Sequence, residues 1–348
     1  MRIAQVSPLY ESVPPAAYGG TERVVANLTD ELVRLGHDVT LFASGDSQTS
    51  ATLVPVCPRS LRLDRSCVDP LAWHVLLVER VAAAAARFDL LHFHIGLVHL
   101  PVARRLPTPS VMTMHGRLDL PELAPVFTEF SETPLVSISD AQRAPLAQAN
   151  WVATIPHGLP AGQLAPVWEP GGYLAFLGRI SPEKRVDRAI AIADALGQPL
   201  KIAAKVDRAD AEYFRREIEP LMDNPLVEFI GEIGEADKNA FLGNARALLF
   251  PIDWPEPFGL VMIESLACGT PVVAFRGGSV DEIIEHGRTG FVVSSLEEAI
   301  DAASRVDSLD RRACRRAFER RFTARRMAED YVSLFERVLQ GKGAHAAA

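Results

Sequence analysis

The sequence predicts an α/β protein built from two doubly wound parallel sheets, one after the other along the chain. Three observations predict it. Short apolar runs that read as buried strands alternate with segments of helical period through the whole chain. The 348 residues are enough for two domains of ordinary size, and 48% of them are hydrophobic, a globular proportion. The stretch 158–172 carries Pro160, Pro166, Pro170, Gly158, Gly162, Gly171 and Gly172, interrupts the alternation, and reads as an interdomain linker.

In the first half, residues 3–7 form a strand, followed by a long loop with Pro14, Pro15 and the pair Gly19-Gly20. Thr21 is placed to cap a helix over 22–35, which Gly36 closes. A strand at 38–43, a long Ala-rich helix over 70–88, and strands at 90–94, 110–115, 135–139 and 152–155 complete this half. The second half opens at Tyr173. Its strands fall near 174–177, 200–204, 227–230, 247–250, 272–275 and 291–293, and helices near 187–196, 209–221, 235–243, 258–268 and 297–305 lie between them. Two charged, amphipathic helices at 310–320 and 325–339 follow, and the tail 341–348 is expected to be disordered.

Composition narrows the function. The net charge is −8 and the isoelectric point near 5.7, with no long basic run, which argues against nucleic acid as the main partner. The four cysteines, Cys57, Cys67, Cys268 and Cys314, are scattered without C-x-x-C spacing and support neither a zinc site nor a disulfide framework. Reduced thiols in the cytoplasm are the expectation. The sequence runs from Met1 directly into a strand, so no signal peptide is expected, and no apolar run reaches membrane-spanning length.

Chemistry concentrates after the strand at 247–250. Pro255 and Pro257 stiffen the backbone on both sides of Glu256, and Gly259 removes a side chain where a helix begins. The N–H groups of Phe258, Gly259 and Leu260 then point out of the helix start as donors for an anion or for hydroxyls. Glu264 sits on the same helix among apolar neighbours, Val261, Met262, Ile263 and Leu266, and so borders a buried side. A second signal is Gly178-Arg179 followed by Lys184-Arg185. Two cations at a strand end, beside a helix start, make a pyrophosphate site. Gly19-Gly20 alone is a flexible turn, and no G-x-G-x-x-G is present for a dinucleotide. His115 ends another strand. His92 and His94 alternate along the strand before it, lack a third ligand at metal spacing, and read as wall residues.

Glu256-Pro-Phe-Gly-Leu-x-x-x-Glu264, followed by Ala-Cys-Gly-Thr-Pro-Val-Val, resembles the E-x7-E signature of retaining, nucleotide-sugar-dependent GT-B glycosyltransferases of family 4. The resemblance implies a GT-B fold, two Rossmann-like domains facing a central cleft. An acceptor-side domain would cover 1–158, joined by the C-terminal helix 323–340, and a donor-side domain 173–322. It implies a catalytic set of Glu256, Lys184, Arg179 and His115. Arg179 and Lys184 would hold the donor diphosphate, Glu256 the sugar hydroxyls, Glu264 the ribose, and His115 the donor sugar. The base would lie against the backbone at Ile233. The loop Tyr18-Gly19-Gly20-Thr21-Glu22 would approach the donor phosphates, with Phe258, Gly259 and Leu260 also contacting the donor. Many family members have glycine after the lysine, where this chain has Arg185.

The implied activity moves a sugar from a UDP- or GDP-sugar to an acceptor hydroxyl. The acceptor, a sugar, a lipid-linked or a small molecule, is not named by the sequence. No D-x-D stands at a strand end, so no metal and no cofactor are expected. A place at the inner face of a membrane stays open but is not indicated, because the 70–88 helix is apolar and Ala-rich rather than basic. Two rivals remain at this stage, a GT-B nucleotide-sugar epimerase and a non-catalytic sugar-nucleotide binding protein. The E-x7-E pattern and the intact charged set speak against both.

Overall fold

The computed structural model of the chain describes residues 1–16 and 19–346. It divides into two compact units, one of Met1–Gly158 with the segment from Ala324 onward, the other of Leu159–Thr323.

The first unit holds seven parallel strands: β1 (Arg2–Val6), β2 (Asp38–Ser44), β3 (Thr52–Cys57), β4 (Leu90–Phe93), β5 (Ser110–Thr113), β6 (Leu135–Ser137) and β7 (Trp151–Thr154). Their order in the sheet is β3-β2-β1-β4-β5-β6-β7. The order reverses direction between β1 and β4, the place where open α/β sheets open a crevice at their carboxyl ends. β4 is buried along its whole length, His92 included, and its other three residues, Leu90, Leu91 and Phe93, are apolar. β3 escapes the sequence reading because Pro55 and a half-exposed face mask its pattern. It lies on the sheet edge, where a missing N–H breaks no ladder.

Three expectations for this unit need correction. The first helix is Gly20–Arg34 with Gly19 as its cap, and Thr21 lies inside it. A Cβ at Gly19 would sit 2.7 Å from the Pro15 side chain, so the loop closes on that spot only with glycine. The second helix is Pro70–Ala84, capped by Asp69, whose carboxylate accepts from the Leu71 N–H at 2.9 Å. The last helix, Ala324–Ala346, runs through most of the tail expected to be disordered. It buries Tyr331 and Phe335, and the Tyr331 hydroxyl is 2.9 Å from Thr113 Oγ1 of β5. Tyr18 and the last two alanines lie outside the described residues.

The second unit holds six parallel strands: β8 (Tyr173–Arg179), β9 (Leu200–Lys205), β10 (Val227–Gly231), β11 (Ala245–Phe250), β12 (Val272–Phe275) and β13 (Gly290–Val293). The order is β10-β9-β8-β11-β12-β13, with the reversal between β8 and β11. Leu174, Phe176, Ile202, Leu249, Val273 and Val293 supply much of the core.

The stretch 159–172 is not a free linker. Leu159 N–H donates to the Phe322 carbonyl at 2.9 Å, Val167 to that of Cys268 at 2.9 Å, and Gly171 to that of Asn244 at 2.6 Å. Leu164 is buried, and the guanidinium of buried Arg311 donates to the carbonyls of Val167, Ala245 and Gly243. Irregular backbone this well paired is part of the unit it lies on. The helix expected over 209–221 is broken into Ala211–Tyr213, a π turn at Phe214–Ile218 and a 3-10 turn at Glu219–Asp223. Pro220 explains the break, since it has no N–H and its ring displaces the carbonyl one turn back.

Candidate active site

The switch point of the second sheet gathers most of the charged residues singled out above. β11 ends at Phe250, and the chain crosses from there to the helix Leu260–Ala267 through the loop that carries Glu256. The loop is fixed by its own backbone. Glu256 N–H donates to the Trp254 carbonyl at 2.9 Å, and the Glu256 carbonyl accepts from Ser279 N–H at 2.9 Å. Gly278 lies directly behind it at φ 55°, where a Cβ would fall 2.1 Å from the Glu256 oxygen. Glu256 is only 8% exposed, and one carboxylate oxygen accepts from both Lys184 Nζ and Trp254 Nε1, the latter at 3.0 Å. Lys184 Nζ also lies over the Trp254 ring, 4.9 Å from its centre. A buried carboxylate is tolerated there because a cation and an indole N–H satisfy it.

Gly259 turns the chain into the helix. Its φ is 78°, and a Cβ would meet Met262 at 2.8 Å and Phe250 at 3.1 Å. The helix therefore opens at Leu260, one to two residues later than expected, with Gly259 as its cap. Phe258 contributes more than backbone. Its ring packs edge-on against Phe322, and its carbonyl accepts from Ser279 Oγ at 2.8 Å. One turn in, Glu264 is buried and accepts from Lys238 Nζ at 2.7 Å. Lys238 belongs to the helix Glu235–Gly243 and also pairs with Glu235. Ile233, half-buried, lies just ahead of that helix.

Arg179 is the last residue of β8. Its guanidinium faces three acids, Glu183 at 2.5 Å, Asp210 at 3.6 Å and Asp207 at 3.7 Å. Lys184 sits in the short turn Pro182–Lys184 that follows. Each of the two cations expected to share one anion has carboxylate partners within the chain, Lys184 in Glu256 and Arg179 in the acid cluster. Any phosphate taken here must compete with those acids for the two cations.

Gly19, Gly20 and His115 belong to the first unit. Gly20 opens the first helix, and Glu22 on its first turn is buried, with desolvation raising its carboxyl above the usual range. His115 follows β5 and is joined to β1 through His94. His115 Nε2 is 2.8 Å from His94 Nδ1, and His94 Nε2 is 2.9 Å from Gln5 Oε1. The protons run in one direction along this chain, so the Gln5 amide atom that faces His94 sets both tautomers and with them whether His115 Nδ1 accepts or donates. That nitrogen is buried and has no hydrogen-bond partner among the described residues. His157 stacks on the His115 ring at 5.3 Å between centroids. His92 packs against Tyr331 and Phe335 of the C-terminal helix, a wall residue as read from sequence, whereas His94 is the connection between Gln5 and His115.

Burial keeps these imidazoles neutral. It lowers His92 and His99 to about 3 and His115 to about 4, and it drives His94 and His157 well below the usual value. The unfolded chain binds protons on these groups near pH 6.5 while the folded one does not, so stability is present above that pH and falls below it. The urea midpoint should therefore drop between pH 7 and pH 5, where carboxylates are still mostly ionised. Each fully buried histidine contributes up to about 1.4 kcal/mol per pH unit. A midpoint flat over that interval would contradict the neutral, buried cluster.

Sequence reasoning missed Trp254, Lys238 and Gln5. Trp254 stands two residues before Glu256 in a proline-rich loop, and that position was the one available signal. Lys238 reads as a solvated helix lysine, and Gln5 as one polar residue in a strand.

Likeness to known proteins agrees with this fold. The crystal structure of AviGT4, a glycosyltransferase involved in avilamycin A biosynthesis, superposes with a TM-score of 0.75 at 27% identity over 98% of each chain. The glycogen synthase of Mycobacterium tuberculosis is 27% identical over 89% of this chain and 86% of its own. The phosphatidyl-myo-inositol mannosyltransferase of Mycobacterium leprae is 26% identical over 90% of each. Two parallel sheets of this order, with such relatives, define a glycosyltransferase of the GT-B fold. Residues 18–198 match the model of Glycosyltransferase Family 4 and residues 168–318 that of Glycosyl transferases group 1, and the chain belongs to glycosyltransferase family 4.

Proposed function

We propose that this glycosyltransferase takes its sugar from a nucleoside-diphosphate sugar, UDP- or GDP-linked, and passes it to an acceptor hydroxyl with the anomeric configuration retained. The observation that carries the reading is the Lys184–Glu256 pair at the switch point of the second sheet, beside the start of the helix Leu260–Ala267. An ammonium there suits a diphosphate, and the carboxylate next to it suits sugar hydroxyls. Glu264, one turn further along the helix, suits the ribose.

The chemistry follows from those places. Transfer breaks the bond from the anomeric carbon to the β-phosphate oxygen and forms the bond to the acceptor oxygen on the same face. The acceptor proton passes to the departing phosphate. Lys184, Arg179 and the helix-start N–H groups offset the charge that develops on the leaving diphosphate, so no metal or other cofactor is required. His115 Nδ1, on a neutral imidazole, would share a hydrogen bond with a donor-sugar hydroxyl. The acceptor is a sugar, a lipid-linked or a small molecule. None of the described helices is long and apolar enough to cross a membrane. The four free cysteines suit a reducing, cytoplasmic setting.

The test is transfer from UDP-, GDP- and ADP-sugars to a panel of acceptors in excess EDTA, with product stereochemistry read by proton NMR. The expected product carries the donor's anomeric configuration, at a rate that chelation does not change. An inverted product would sink the retaining mechanism. Activity abolished by EDTA and restored by Mg²⁺ or Mn²⁺ would sink the metal-free one.

A further inference from the structure

Among the described residues Arg185 is the one non-glycine residue at positive φ, at φ 51° and ψ 51°. Left-handed backbone costs an L residue energy that glycine escapes. Arginine at such a position persists only where its surroundings hold it there. Its guanidinium reaches two acids at once. Nε and Nη2 donate to Asp187, on the first turn of the helix Val186–Leu196, at 2.8 to 3.1 Å, and Nη1 donates to Asp253 Oδ2 at 2.9 Å. Asp253 belongs to the loop that carries Trp254 and Glu256. Arg188 holds the same carboxylate at 3.2 Å and donates to the carbonyls of Pro251 and Ile252 at 3.3 Å each. The Asp253 N–H in turn donates to the Glu183 carbonyl at 2.8 Å.

We infer that Arg185 is a positioning residue, a clamp that fixes the Glu256 loop against the Lys184 turn and so sets the place of Lys184 relative to Glu256. Lys184 and Arg185 are adjacent, Asp253 is three residues before Glu256, and the clamp closes the circuit between them. Burial holds the two ends of the loop, at Pro251 and Ile252 and from Glu256 to Phe258, whereas Asp253 and Pro255 between them are exposed and Trp254 is half exposed, and it is on this middle stretch that the clamp acts. The inference rests on the donor-site reading above for its effect on turnover, but the clamp itself has a test independent of any donor.

That test is hydrogen exchange at the backbone amides of Asp253, Trp254 and Glu256, measured beside melting temperature and transfer kinetics in Arg185→Gly, Arg185→Lys and Asp253→Asn. In Arg185→Gly the strain is relieved, so the melting temperature stays level or rises, while exchange in the loop speeds up and kcat/KM for donor falls about tenfold. Arg185→Lys keeps the charge but lacks the two-pronged fork, so it does not rescue. Asp253→Asn should lower kcat/KM in the same direction, and the double variant with Arg185→Gly should be no worse than either single one. Loop exchange unchanged in Arg185→Gly would overturn the clamp whether or not the donor assignment holds. Improved donor binding in Asp253→Asn, with lysine restoring activity at position 185, would overturn it in favour of simple charge attraction. Faster exchange with unchanged kcat/KM would show that Arg185 clamps the loop without affecting the reaction, and would overturn its positioning role.

Discussion

Lys184→Ala should lower kcat at saturating donor by about a hundredfold or more, the usual cost of deleting one donor that stabilises a developing anion. Two roles of Lys184 have to be separated. It is the cation assigned to the departing diphosphate, and it is also the partner of Glu256, which is buried. Leaving Glu256 without that partner costs about 1–3 kcal/mol of stability, so some loss of melting temperature is expected. Replacing both residues, Lys184→Ala with Glu256→Gln, removes the unpaired charge and should restore most of the stability, but none of the turnover. Near-normal kcat in purified Lys184→Ala would remove it from the diphosphate. Turnover that recovered along with stability in the double variant would make Lys184 a structural residue and nothing more.

How far the sequence carried depends on what kind of fact each feature is. Strands such as β4, β11 and β12 are buried on nearly every residue, and a parallel sheet covered on both faces has no other way to be written. β3 lies on the edge with Pro55 in it, so burial never imposed that pattern. The glycines and prolines of 158–172 mark irregular backbone correctly. Punctuation alone does not say whether such backbone hangs free or, as here, is pinned by Phe322, Cys268 and Asn244. In the site, Glu256 and Lys184 stood out because prolines and a strand end give them local context. The acids around Arg179, the hold of Lys238 on Glu264 and the link from Gln5 through His94 to His115 join residues far apart in the chain. They exist only once the strands are ordered in the sheet. Arg185 shows a further limit, because a departure from glycine is visible in the sequence while the left-handed backbone and the two acids it holds are not.

The central claim is that the two carboxylates of the E-x7-E pattern divide the donor between them, Glu256 taking the sugar and Glu264 the nucleotide. Calorimetric titration of nucleoside diphosphate and of the intact nucleotide sugar into wild type, Glu256→Gln and Glu264→Gln tests this most directly. Glu256→Gln frees Lys184 from its own carboxylate, so it should bind the free diphosphate at least as tightly as wild type does. It should also lose the affinity that the sugar adds, since a charged hydrogen bond to a hydroxyl is worth roughly 1.5–3 kcal/mol. Glu264→Gln should weaken the free nucleotide by a similar amount and leave the sugar's added contribution unchanged. Equal loss of diphosphate affinity in both variants, or a Glu256→Gln protein that holds the nucleotide sugar as wild type does, would contradict the division.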